Sequence, residues 1–198
     1  MKPTYQGFEA KESKQFLDVP PVGVYEAQIL NVRYVKADDE ENYLKRDYIE
    51  LYIDITDGEY KGRYMALWND QKEKWEKASY KGIFRLIPYI EGDELWRKSA
   101  FEGALWCVQE SNDGYHWDWD ETKLAKKKVG INVRERLYTY NGKDRTTTEI
   151  GKLESLKDVK AGKCKLMKAN DRRKDKSGSD STDGNDFVDV SKAVDVPW

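Results

Sequence analysis

Histidine and cysteine are scarce in this chain, and long apolar runs are missing. The single histidine, His116, and the two distant cysteines, Cys107 and Cys164, form no pair with the spacing of zinc ligands. No apolar run approaches the roughly 18 residues of a membrane-spanning helix, and no apolar signal segment follows Met1. We therefore expect a protein with no cofactor, no bound metal and no membrane partner, located in the cytoplasm with reduced cysteines.

Common catalytic motifs are also missing. The Gly-Lys pairs at residues 151–152 and 162–163 lack the spacing and the hydroxyl of a phosphate-binding loop, and no Gly-x-Ser-x-Gly sequence is present. These absences favour a protein that is not an enzyme. Two acidic clusters, at residues 38–41 and 118–121, keep a metal-dependent nuclease or resolvase open as an alternative, although both lie in turn-like contexts.

Charge is distributed unevenly along the 198 residues. Residues 177–198 carry five aspartates and one lysine, a net charge of −4, whereas the whole chain carries −2, so residues 1–176 carry +2. A mildly basic body suits an anionic ligand, and the acidic tail does not.

Composition predicts three parts. Residues 1–21 form an N-terminal arm that ends at Pro20-Pro21, residues 22–170 form one β-rich domain, and residues 171–198 form a flexible acidic tail. The chain length suits one domain with a tail.

The first half of the domain reads as strands. Residues 22–36 are rich in β-branched and aromatic side chains, and their apolar alternation changes phase after Ile29, which predicts a β-bulge or a sharp bend. Residues 48–56 alternate between aliphatic and polar or aromatic side chains. Asp57-Gly58 is a turn signal, so we expect residues 60–68 to return as the second strand of a hairpin.

The second half mixes helices and strands. Residues 69–112 are predicted to be mainly helical, with Trp75, Trp96 and Trp106 packing these helices onto the sheet. Residues 115–119 suggest a short strand. Residues 128–140 alternate, Asn141-Gly142 is a strong hairpin signal, and residues 145–150 return. Residues 152–170 are polar and predicted to be weakly structured.

Basic and aromatic residues interleave on the predicted strands, opposite the aliphatic side chains where the alternation is clear. Aromatic rings stack on bases while arginine and lysine neutralise phosphates, so this face suits single-stranded nucleic acid. The alternative is a solvated sheet with cross-strand tyrosine pairs. The candidate binding residues are Arg33, Lys36, Tyr48, Tyr52, Lys61, Arg63, Tyr64, Trp68, Arg134, Arg136 and Tyr138.

The chain closes on Asp195-Val196-Pro197-Trp198. Pro197 pre-sets the backbone, Trp198 suits a pocket on another protein, and the terminal carboxylate suits a basic side chain. These four residues are therefore candidates for docking a partner protein.

The order of a bent strand, a hairpin, a helical insertion and a second hairpin is similar to that of the five-stranded OB barrel, which has helices between strands three and four. The terminal Asp-Val-Pro-Trp is similar to the tip of bacterial single-stranded DNA-binding proteins, with Trp in place of Phe and fewer adjacent acids. Residues 23–27 and 117–130 resemble phage-type OB-fold single-stranded DNA-binding proteins.

This resemblance implies a non-enzymatic protein that coats single-stranded DNA during replication or recombination, in the host cytoplasm if it is encoded by a phage. It also implies that the tip recruits partner enzymes. A homo-oligomer is compatible with the sequence, and so is a structural protein with an OB-like barrel that binds no DNA.

Overall fold

The computed structural model describes residues 17–40, 42, 44–74 and 78–173. These residues form a mainly β fold with a few helices. In chain order the elements are β1 (Gly23–Val35), β2 (Tyr48–Ile55), α1 (Arg63–Lys74), β3 (Ile83–Leu86), α2 (Leu95–Glu110), a 3₁₀ helix (Glu121–Leu124), β4 (Lys128–Tyr140), β5 (Lys143–Glu154), α3 (Leu156–Lys160) and β6 (Asn170–Asp171).

Strand β1 lies at the centre of the sheet because it pairs with two different strands. Its first part pairs antiparallel with β4, from Gly23 opposite Val133 to Gln28 opposite Lys128. Its later part pairs antiparallel with β2, and the register shifts between Ile29 and Asn31. This shift confirms the bulge predicted from the change of phase after Ile29.

The sheet has the strand order β3-β2-β1-β4-β5, and the short β6 pairs parallel with β4. Strands β3 and β5, at the two ends of this order, also contact each other. The prediction of a mainly β fold with helices is confirmed. Helix α2 lies between β3 and β4 in the chain, where a helical insertion was expected.

Strand β2 is buried along its whole length. Its alternation is confirmed: Ile49, Leu51 and Ile53 join the apolar core, which includes Ile131 of β4 and Phe101 of α2. Side chains on the opposite face are buried as well. The aliphatic face of β2 is predicted correctly. The opposite face, predicted to be accessible to a ligand, is buried.

The predicted strand at residues 60–68 is wrong, because helix α1 begins at Arg63. Gly58 and Gly62 adopt φ values of 77° and 67°, which turn the chain away from β2. The Asp54 carboxylate then accepts hydrogen bonds from the backbone N–H groups of Tyr64 (3.0 Å) and Met65 (3.1 Å). A capped helix thus replaces the expected hairpin.

The helical prediction for residues 69–112 is right only in part. Residues 83–86, expected in a helix, form β3 and pair with β2, with Phe84 opposite Leu51. Trp106, expected in the core, is 49% exposed, and Trp96 is half-buried. Trp75 lies outside the described residues. Residues 115–119 form a loop where a strand was expected.

The hairpin of β4 and β5 is confirmed. Asn141 and Gly142 both have positive φ, 50° and 71°, as a two-residue hairpin turn with these residues requires. The chain after β5 is more ordered than predicted, since it forms α3 and β6. Its Lys165 carbonyl accepts a hydrogen bond of 2.8 Å from Asn132, which fixes this segment against β4.

The N-terminal arm and the acidic tail fall almost wholly outside the described residues, as does the predicted docking tip. Of the helices within the described ranges, none combines the length and the apolar content that crossing a membrane requires.

The cap of α1 is the basis of a first prediction. Asp54→Ala removes the acceptor of two helix N–H groups in a buried place, so we expect the free energy of unfolding to fall by about 1–3 kcal/mol. Asp54→Asn keeps one oxygen acceptor, so its free energy of unfolding should fall by less. Urea unfolding measures both, with the exposed Asp57→Ala as the matched control. An equal effect of the two alanine variants would contradict this role for Asp54.

Candidate nucleic-acid interface

Four of the five predicted aromatic residues are buried. Tyr48 and Tyr52 lie on β2, whereas Tyr64 and Trp68 lie on α1. Tyr80 packs against three of these rings, with centroid distances of 5.9 Å to Tyr52, 6.4 Å to Tyr64 and 6.3 Å to Trp68. Bases can stack on these rings only if this part of the molecule is uncovered.

A buried ion pair lies beside these rings. Glu50 and Arg85, both 2% exposed, face each other on β2 and β3 at 2.8 Å. The Tyr52 hydroxyl donates to the second Glu50 oxygen at 2.9 Å. Burial, together with the negative charge of Glu50, raises the pKa of Tyr52. A buried pair of this kind is destabilising if one partner is removed, so this face of β2 has a structural role.

Two of the predicted cations on β4 are engaged with Glu149. The Arg134 guanidinium is buried and donates to Glu149 at 3.0 Å. Arg136 is half-buried, 4.0 Å from the same carboxylate, with its guanidinium 5.4 Å from the centre of the Tyr138 ring. Tyr138 is half-buried.

The remaining predicted cations are more accessible. Lys36 and Lys61 are exposed. Arg33 is half-buried and lies 3.8 Å from Asp39, and Arg63 lies over the ring of Tyr60 at 5.3 Å. The predicted binding residues are therefore divided among several surfaces and the core.

A groove runs between β3, β5 and α2, where the ends of the sheet approach each other. We call it the seam groove. It encloses about 520 Å³, and its apolar walls carry four basic side chains and two acidic ones, Glu154 and Asp158. Its main lining residues are 84–87, Trp96, Arg97, Trp106 and 151–155.

The rim of the seam groove carries both charge and aromatic surface. Arg97 lies 4.6 Å from the centre of the Trp96 ring. Lys152 is about half exposed and pairs with Glu154 at 3.0 Å. Cations beside tryptophan rings can contact phosphates and bases together.

A second cavity of about 550 Å³ lies beyond the end of β3. We call it the aromatic groove, because four of its lining residues carry rings. They are Tyr34, Phe101, Trp117 and Trp119.

Four rings form a continuous series, which we call the aromatic ladder. Tyr89 meets Phe101 edge to face, Phe101 stacks with Trp119 at an interplanar angle of 25°, and Trp119 meets Trp117. Each pair of centroids is 6.0 Å apart. Phe101 lines both cavities, so the ladder joins the seam groove to the aromatic groove.

Trp119 is the most exposed ring of the ladder, with 68% of its surface accessible. Its backbone has φ of 67°, an unusual conformation for a bulky residue. Trp117 and Trp119 were not among the predicted binding residues. Two tryptophans separated by a single aspartate in a polar loop are the signal that could have identified them.

Two polar contacts fix the wall of the aromatic groove that comes from the loop after β1. The Tyr34 hydroxyl donates to Asp47, which raises the pKa of Tyr34 to about 12. Arg46 forms an ion pair with Asp93 at 2.5 Å, and this contact lowers the pKa of Asp93 to about 2. The loop is therefore tied to the segment after β3.

Members of both acidic clusters pair with cations. Asp39 pairs with Arg33, and Lys123 bridges Asp118 and Asp120. Within the described ranges, no group of three or more His, Cys, Asp or Glu side chains could hold a metal ion. The Cys107 thiol is buried, and burial raises its pKa to about 11, so it stays protonated at neutral pH.

The Arg46–Asp93 pair predicts a pH dependence. The pKa of Asp93 in the folded protein lies below its ordinary value of 3.8. The stabilisation that the ionised Asp93 gives the fold is therefore fully present above pH 3.8 and is lost as the pH falls through about 2. We expect Asp93→Asn to melt at a lower temperature than the wild type at neutral pH, with the difference shrinking towards pH 2. Thermal melts across this range measure the difference. The exposed Asp113→Asn is the control, and a difference independent of pH would contradict the assignment.

A scan against protein-family models gave no match, and a search of curated proteins found no relative. The chemistry of the chain's own residues therefore has to indicate the function.

Proposed function

We propose that this protein binds single-stranded DNA without sequence specificity, coats it during replication or recombination and performs no catalysis. The seam groove carries the proposal, because half-buried Arg97 and exposed Lys152 line it together with the rings of Trp96 and Trp106, in a cavity of about 520 Å³. Single-strand binding needs this combination of phosphate contacts and stacking surfaces.

The fold supports the same function. We propose that the sheet is an OB-type barrel, open between β3 and β5. The order β3-β2-β1-β4-β5, the contact between β3 and β5, and helix α2 between β3 and β4 are consistent with this fold. OB folds commonly bind oligonucleotides.

The surface proposed here differs from the one predicted from sequence. Tyr48 and Tyr52 are buried, whereas Trp96 and Trp106 line the seam groove. Lys36 and Lys61 are exposed and add positive charge outside the groove. We also propose that the protein acts in a host cytoplasm, as its resemblance to phage-type single-stranded DNA-binding proteins implies. Residues Asp195–Trp198 recruit partner enzymes in this proposal.

Salt dependence tests the DNA-binding proposal. A labelled oligo-dT should bind at low salt, and the logarithm of its association constant should fall linearly with the logarithm of salt concentration, by about 0.7 per phosphate contact. If Arg97 and Lys152 each contact a phosphate, the double variant Arg97→Ala/Lys152→Ala should reduce this slope by about 1.4. Fluorescence anisotropy measures both quantities.

Lys143→Ala/Arg145→Ala is the matched control, because both side chains are exposed cations that do not line the seam groove. We expect it to change the slope less than the double variant does. Wild-type protein that fails to bind oligo-dT at low salt would contradict the proposed function. Cleavage of the DNA in the presence of magnesium or manganese would favour the nuclease alternative instead.

The tail predicts a separation of two activities. Deleting residues 194–198 removes Trp198 and one aspartate from an acidic tail, so DNA affinity should stay the same or rise, while recruitment of replication or recombination enzymes should be lost. Anisotropy with oligo-dT measures the first effect, and co-sedimentation of a partner enzyme with coated DNA measures the second. A loss of DNA affinity in the shortened protein would contradict this assignment.

A further inference from the structure

We infer that the aromatic groove is a binding site for one unstacked nucleobase, with Trp119 as its stacking platform. The inference rests on the proposed single-stranded DNA binding. It adds a site away from the strand faces, built by the loop after β1 and by the loop between α2 and β4.

The rings of the groove are available to a flat ligand. Phe101, which is buried, supports the Trp119 ring at 6.0 Å and 25°, yet 68% of Trp119 stays exposed. Tyr34, 42% exposed, lines the same cavity. An accessible ring with a fixed support presents a face on which a base of any sequence can stack.

The loop that carries Trp119 is held before any ligand binds. The Trp117 backbone N–H donates to the Gln109 side chain of α2 at 2.7 Å. Asp120 accepts from the Thr122 N–H at 3.1 Å and caps the 3₁₀ helix. These contacts hold Trp119 in a left-handed conformation, so less ordering remains to be done on binding.

The charges of the aromatic groove suit a base more than a phosphate. Lys45 and Arg46 line it together with Asp47 and Glu121, so these four charges cancel. The neighbouring Asp118 and Asp120 share Lys123. Phosphate contacts therefore come from elsewhere, while the ring walls receive a neutral planar group.

One strand of bound DNA can reach both cavities. Residues 84–87 line the seam groove, and Pro88 and Ile90 line the aromatic groove. Tyr89 contacts Phe101, which lines both cavities, and the Lys98 ammonium lies 5.5 Å from the centre of the Tyr89 ring. A strand with its phosphates at Arg97 and Lys152 could thus pass Tyr89 and place a base on Trp119.

Substitution of Trp119 tests the inference with the full chain. Loss of one base-stacking contact is expected to weaken oligo-dT binding by about 5- to 150-fold in Trp119→Ala. Trp119→Phe keeps a ring and should retain most of the affinity, whereas Trp119→Leu keeps apolar volume and should lose it. Anisotropy at a fixed low salt concentration measures all three, and circular dichroism checks that each variant is folded.

An abasic oligomer of equal length, which carries phosphates without bases, separates stacking from charge. Its affinity should be the same for the wild type and Trp119→Ala. Tyr140→Ala is the control for removing an exposed ring, since Tyr140 is 48% exposed at the β4–β5 turn. We expect it to cost less than Trp119→Ala.

The outcomes distinguish the inference from the proposed function. If the wild type binds oligo-dT and Trp119→Ala binds equally well, the nucleobase site is wrong while DNA binding stands. Full retention of oligo-dT affinity by Trp119→Leu would also overturn the nucleobase site, because an apolar contact without ring stacking would then be enough. If the wild type binds no oligo-dT, both proposals fail.

Discussion

The sheet depends on the bend in β1. Its first residues pair with β4, Ala27 and Gln28 pair with both β4 and β2, and the rest of the strand pairs with β2 across the register shift between Ile29 and Asn31. This double pairing places β2-β3 and β4-β5 on opposite sides of β1 and brings β3 towards β5. The seam groove lies where these two end strands approach. A straight β1 would not curve the sheet in this way, so the proposed binding surface follows from this local irregularity.

Much of the sheet could be predicted because its signals are local. The phase change after Ile29 predicted the bulge, and Asn141-Gly142 predicted the β4–β5 hairpin. The turn signal Asp57-Gly58 predicts a strand at residues 60–68, and this prediction is wrong. The cap that starts α1 comes from Asp54, a tertiary contact that alternation does not reveal. Residues 83–86 carry apolar side chains that fit a helix or a strand, and pairing with β2 decides between them.

The binding surface was harder to predict than the fold. Alternation placed Tyr48 and Tyr52 opposite the aliphatic face of β2, but it could not show that this face is buried together with the Glu50–Arg85 pair. The aromatic ladder joins residues from a segment after β3, a helix and a loop, namely Tyr89, Phe101 and Trp119. Such an assembly has no periodic signature in sequence. The combination of basic and aromatic residues nevertheless indicated the ligand class that we propose.

The most direct measurement is a nuclear magnetic resonance titration that follows the indole N–H signals of the seven tryptophans, assigned by single substitutions, as oligo-dT is added at low salt. We expect the Trp119 signal to shift strongly on binding, with Trp96 and Trp106 also affected, while the buried Trp68 changes little. An unchanged Trp119 signal in protein saturated with oligo-dT would contradict the nucleobase site. Unchanged signals from all seven tryptophans would contradict DNA binding through these grooves.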